Sequence, residues 1–278
     1  MSLQVHLRGG SSRKMWARVL AASVDSWPVW VKPALPIIVL AGLLALSTGS
    51  FGQNAIPSGT ILPLQLSGSL NSKKSKPGQV VTARLMQNVP LPTGAHIPAG
   101  SKAVGRVLDV VKGREGAGAQ ISLQFDTLVV SKRKIPITTN LRALASMMEV
   151  AEAQLPNTGP DSGTSEYEYV TNQIGGDVVY GRGGLVANGL QVVGISTPNG
   201  VLARVTSKPG SMCRGEVGGN DLPQALWLFS ADACGTFGFA DLTIRHAGRS
   251  DPVGQITLVS TKNDFDVRSG SGLLLRVK

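Results

Sequence analysis

Cys213 and Cys234 are the only cysteines in the chain, and two thiols can bridge, bind a metal or act as nucleophiles. A closed zinc site takes about four ligands. The chain has no CxxC, and its three histidines, His6, His96 and His246, are scattered. The expected outcome is a disulfide closing a loop of roughly twenty residues, a cross-link suited to an oxidising compartment. His246 stands near Asp241, Arg245, Arg249 and Asp251, a set from which a general base for a serine nucleophile could be drawn. No GxSxG elbow accompanies it, and His246-Ala247-Gly248 reads as a turn after a strand. His96, two residues before Pro98, reads as solvated. The expectation is a protein without catalytic residues, bound metal or cofactor.

Two basic clusters and one aromatic cluster are the remaining candidates for binding. Lys73, Lys74 and Lys76 fall in the polar stretch Asn71–Gly78, and Lys132, Arg133 and Lys134 form a tight basic turn. Either the loops are solvated turns that protect strand edges, or they touch anionic lipid headgroups or an anionic envelope polysaccharide. Trp227, with Phe229, Phe237 and Phe239, gathers much of the chain's aromatic content near Cys234. That group packs against the disulfide or presents a recognition patch. The glycine runs at 113–118, 181–184 and 270–272 lack the spacing and the lysine of a phosphate loop, and read as turns.

Net charge is +10, with 27 basic and 17 acidic residues. Arg8, Arg13, Lys14, Arg18 and Lys32 stand against Asp25 alone before residue 53, so the remainder is only mildly basic. That charge is too dilute, and too poor in interleaved aromatics, for nucleic-acid binding. Pro36 to Leu46 is eleven apolar residues after a basic stretch and before Ser47, Thr48, Gly49, Ser50 and Gly52. This is the layout of a signal peptide cut before Gln53. The rival is a retained anchor, for which eleven residues fall short of the ~20 that span a bilayer. The long basic stretch makes Met15 a second candidate start. The expected location is periplasmic, outer-envelope or secreted, with the membrane touched only through an uncleaved N-terminal segment.

The elements that must carry these residues are mostly strands. The 34 glycines and 16 prolines with 16% charged residues suit a turn-rich all-β chain. Aromatic content of 5% counts against an outer-membrane barrel. Period-2 alternation predicts strands over 60–66, 79–86, 103–111 and 119–130, with Ile135–Ile137 following the basic turn. Leu141, Leu144, Ala145, Met148, Ala151 and Leu155 recur at helical spacing, predicting a helix near 141–155 with Thr139 or Asn140 as its N-cap. Pro156 to Ser165 reads as a linker. Short strands return over 177–180, 190–195, 201–205, 225–229, 242–245, 255–259 and 273–277. The chain thus divides into an export segment (1–52), a small modified β-barrel or sandwich (53–140), a helix and linker (141–173) and a second, disulfide-containing β unit (174–278). The last strand either belongs to that unit or pairs back into the first module.

Ile56-Pro57-Ser58-Gly59-Thr60 and Ile97-Pro98-Ala99-Gly100-Ser101 are the same turn-into-strand phrase, forty-one residues apart. With Pro77-Gly78-Gln79-Val80-Val81, Gly105-Arg106-Val107 and Leu123-Gln124-Phe125, they make residues 56 to about 137 resemble the C-terminal domain of the TrbI/VirB10 family, scaffolds of conjugation-type secretion systems. The resemblance implies a modified β-barrel in the periplasm and assembly into rings. The long Pro-rich stalk of that family is absent ahead of the barrel. The reading is an exported, non-catalytic envelope protein that binds or scaffolds an envelope protein or anionic polymer, with self-association open. One alternative is a component of a secretion-type assembly; another is a secreted hydrolase with its site around His246 or Asp241.

If the two cysteines are bridged, reduction should lower the unfolding free energy by about 3 kcal/mol. Urea unfolding of the parent and of Cys213→Ala, each in oxidised and reduced buffer, checks this. Equal stability of parent and variant in both buffers would contradict it.

Overall fold

The computed structural model describes residues 55–114, 117–155, 170–176, 178–181, 184–188, 190–205, 213, 222–249 and 251–278. The apolar run at 36–46, its expected cleavage before Gln53 and the linker expected over 156–165 lie outside the described residues. The chain enters β1 (Ile61–Leu66) and continues through β2 (Leu70–Asn71), β3 (Val80–Leu85), β4 (Val89–Pro90), β5 (His96–Ile97) and β6 (Lys102–Val111). Next come β7 (Gln120–Val130), β8 (Arg133–Pro136), β9 (Thr139–Ala145) and the single described helix, α1 (Met147–Ala153). A run of six follows: β10 (Val170–Asn172), β11 (Val178–Gly181), β12 (Leu185–Asn188), β13 (Gln191–Thr197), β14 (Gly200–Ala203) and β15 (Gln224–Trp227). The chain ends with β16 (Gly235–Phe237), β17 (Leu242–Arg245), β18 (Ile256–Ser260), β19 (Asp266–Val267) and β20 (Gly272–Val277).

The protein is mainly β, as its composition implies, and its largest sheet is a nearly closed barrel. That sheet has ten strands in the order β16-β9-β20-β1-β3-β6-β7-β18-β17, with β8 beside β7. Its first and last strands, β16 and β17, are consecutive in the chain, and Thr236 Oγ1 donates to the Leu242 carbonyl at 2.6 Å across them. The final strand pairs antiparallel with the first, Leu64 opposite Leu273. Strands beyond residue 174 therefore contribute to three sheets, β19 pairing with β2 in a small one. β10 to β15 form a six-stranded meander in chain order, while β16, β17, β18 and β20 complete the barrel.

Turn chemistry explains the entry to the strands. Gly59 and Gly100 have φ of 87° and 86°, the left-handed region that a type II turn needs at its third position. In each turn the backbone N–H two residues after the Ser or Ala, Thr60 in one and Ser101 in the other, donates to a proline carbonyl, Pro57 or Pro98, at 3.2 Å. The Thr60 and Ser101 hydroxyls donate to the same two carbonyls at 2.7 Å. The repeated phrase is one turn built twice.

The helix expected over 141–155 is a strand followed by a shorter helix. Residues 139–145 are buried at every position in β9, because one face lines the barrel and the other meets a second core. A strand buried on both faces loses its period of two, and its apolar run then matches helical spacing by chance. α1 starts only at Met147, and Ser146, not Thr139 or Asn140, is its N-cap, accepting from Glu149 N–H at 3.2 Å.

Where β6 bulges at Val104/Gly105, the two backbones close in. A Cβ on Gly105 would land on the Gln124 carbonyl oxygen. Backbone overlap is not relieved by a rotamer change, so Gly105→Ala should cost about 3 kcal/mol. Gly68, with nothing within 4 Å, is the control and should change by less than about 0.5 kcal/mol. Chemical denaturation of the two variants checks both.

Candidate binding surfaces

Cys213 and Cys234 form a disulfide with 5.9 Å between Cα atoms, and neither cysteine is free. Cys213 is buried in the barrel core, and its Sγ lies 3.6 Å from the Arg142 carbonyl oxygen. Arg142 stands where β9 bulges against Leu274/Leu275. Its Nε and Nη2 donate to the Ala233 and Ala231 carbonyls at 3.0 and 2.9 Å. Burial, and then the nearby Arg276 charge, lower its pKa to about 10, against the raising effect of Asp232. It therefore stays a cation at neutral pH, clamping the loop that carries Cys234.

The set around His246 does not converge. His246 has φ of 60° and its Nδ1 lies 3.4 Å from Arg249 Nη2. Asp241 instead accepts from the Ser260 hydroxyl at 2.8 Å, and Arg245 donates to Gln120 Oε1 at 2.9 Å. His96 is exposed in β5. Among the described residues no group of three His, Cys, Asp or Glu is placed to hold a metal ion.

A cleft of about 310 Å³ lies elsewhere, lined by Met86, Gln154, Pro198, Asn199, Trp227 and Leu228 among others. Trp227 has φ of 52°, a rare conformation for a large side chain and costly unless its surroundings impose it. Here they do. Its N–H donates to Gln87 Oε1 at 2.7 Å, and Gln87 Nε2 donates to Thr197 Oγ1 at 3.0 Å. Contrary to the expected packing against the disulfide, Trp227 belongs to the second core, while Cys213 belongs to the first. At 4% exposure it forms a wall of the cleft rather than a projecting anchor.

The two basic loops do not form one surface. Gly78 N–H donates to the Val107 carbonyl, placing Lys73, Lys74 and Lys76 toward one end of β6, whereas Val129 beside the other loop pairs with Lys102 at the opposite end. Lys73 and Lys74 N–H groups donate to Asn71 Oδ1, and Lys73 Nζ lies 3.5 Å from Asp264 Oδ2. The second loop is a two-residue hairpin. Ser131 and Lys132 have φ of 46° and 72°, the type I′ pattern that fits strand twist. Arg133 and Lys134, expected in the turn, are the first residues of β8.

Register, which composition does not reveal, gives Lys134 different neighbours. Lys134 pairs with Val129, Val129 with Lys102, and Lys102 with Arg84. Elsewhere, exposed apolar side chains meet on the second sheet, where Leu185 at 62% exposure stands opposite Ile195 at 51%. Comparison with family models, with curated proteins and with solved structures found no match.

Asp264 shows the strongest local electrostatics of the basic loops. The Ser72 hydroxyl at 2.7 Å and the Gly113 N–H at 2.9 Å donate to it, and these bonds, with Lys73 adding less, hold its carboxyl below the ordinary 3.8. A depressed carboxyl pKa stabilises the fold above its unfolded value and loses that contribution as pH falls through the folded one. Asp264→Asn should therefore lower the thermal midpoint at pH 7, and the gap should narrow steadily as pH drops below about 4. Thermal melts across that range check the sign.

Proposed function

We propose that the chain is an exported, non-enzymatic protein of the cell envelope whose barrel serves as a binding or scaffold module. The observation that carries this reading is the Cys213–Cys234 bridge at the barrel core, in a chain whose sequence holds the apolar run Pro36–Leu46. Such bridges persist in oxidising compartments and are rare where glutathione keeps thiols reduced. The repeated Pro/Gly turns at Pro57 and Pro98, each feeding a barrel strand, support the likeness to the periplasmic TrbI/VirB10 barrel. Among the described residues, the side chains with clearly shifted titration, Arg142 and Asp264, are both tied into structural hydrogen bonds, which favours binding over catalysis. The cleft beside Trp227 offers the partner a rigid wall.

A second reading, a subunit of a secretion-type envelope assembly, draws on a different feature. The Leu185–Ile195 face with nearby Val192, 52% exposed, is the kind of apolar patch that marks protein contact.

Thiol trapping in cells tests the export reading. The full chain, quenched with acid and treated with a maleimide, should show both cysteines protected until a reductant is added. A chain with Leu40, Leu43 and Leu44 each changed to Arg should stay inside and show both thiols reactive. Reactive thiols in the unaltered chain would end the reading.

A further inference from the structure

We propose that the outer barrel face across β3, β6, β7 and β8 docks on an anionic phospholipid surface through Arg84, Lys102 and Lys134. The inference deepens the envelope reading and rests on it. Three cations stand in one cross-strand row: Arg84 opposite Lys102, Lys102 opposite Val129, Val129 opposite Lys134. Directly paired residues share a face of the sheet. The alternation of exposed and buried positions in β3 and β6 puts this row on the outside, with Ala83 and Ala103 pointing in.

Among the described residues none of the three cations has an ion-pair partner, and Asp126, the nearest acid along β7, is paired with Arg106 at 3.1 Å. Like charges placed directly opposite each other weaken a sheet. Lys132, at the tip of the type I′ hairpin, extends the positive edge past the strand ends.

The shape favours a plane of phosphates. At about 4.8 Å per strand the row spans about 14 Å, too broad for one phosphate. The neighbouring row is Thr82, Val104, Thr127 and Pro136, with no aromatic ring on which a sugar could stack.

The test uses the purified full chain and co-sedimentation with vesicles of phosphatidylcholine alone or mixed with phosphatidylglycerol. The N-terminal segment is common to every variant, so it cancels between them. Arg84→Gln/Lys102→Gln/Lys134→Gln should lose on the order of a hundredfold of the preference for anionic vesicles, at roughly fivefold per cation. Lys73→Gln/Lys74→Gln/Lys76→Gln removes the same charge from the other end and should lose about threefold or less. The first triple variant should melt no lower than the parent, because a repulsive pair has gone. Equal losses in the two triples would mean that only net charge matters and would overturn the proposal. So would a lower melting point in the first, or displacement of the parent from anionic vesicles by soluble polygalacturonate. None of these outcomes depends on thiol trapping, so the docking face and the export reading can fail separately.

Discussion

β9, β20 and β1 carry apolar side chains on both faces, and this shared wall holds the two halves of the described structure together. Leu62, Leu64, Leu66, Leu141, Leu273 and Leu275 point into the barrel, while Ile61, Ala143, Ala145 and Leu274 meet Ile174, Trp227 and Phe229 on the other side. A one-residue slip of any of these strands would exchange the two sets. Large leucines would then enter sites shaped for alanine, and overpacking of that kind destabilises a core. Register in the wall is therefore set from both sides.

A wall of this kind tolerates a polar residue only where its groups find partners. Arg142 is that residue. The bulge in β9 frees it from the strict alternation, and the carbonyls of Ala231 and Ala233 receive its guanidinium. The segment so held continues through Cys234 into β16, which lies parallel to β9 at the sheet's end. From there Gly238–Asp241 leads to β17 at the other end, and the Thr236 hydroxyl bridges the gap. Closure of the barrel thus follows from one buried cation in β9, one disulfide and one short connection, which together hold the segment that leaves the second sheet.

How much of this was legible follows from the range of the interactions concerned. The Pro/Gly turns and the strands over β1, β3, β6 and β7 depend on neighbours in sequence, and the periodicity of one exposed face shows them. The pairing of Cys213 with Cys234 needed only composition. β9 was illegible because its second buried face erases the alternation. Arg133 and Lys134 were misplaced by the length of the basic run, since only Ser131 and Lys132 are needed to turn the chain. Trp227 was drawn to the nearby cysteine in sequence, although the bulge opposite Val201/Leu202 directs it to the other core. The row of Arg84, Lys102 and Lys134 spans fifty residues of sequence and exists only through register.

Lys73 and Lys102 illustrate why counting basic residues says little about where a chain binds. Lys73 sits beside a carboxylate already held by Ser72 and Gly113, so its charge is matched locally. Lys102 faces another cation across a strand pair. Because both head groups reach into water, screening keeps that repulsion small in the free protein. The strands beneath are fixed by the barrel, so little freedom is lost at the backbone when a surface of opposite charge approaches. A modest folding cost spread over a rigid face is thus compatible with a strong gain on contact with many phosphates at once. Lys73, by contrast, would have to give up its contact with Asp264 to reach the same phosphates.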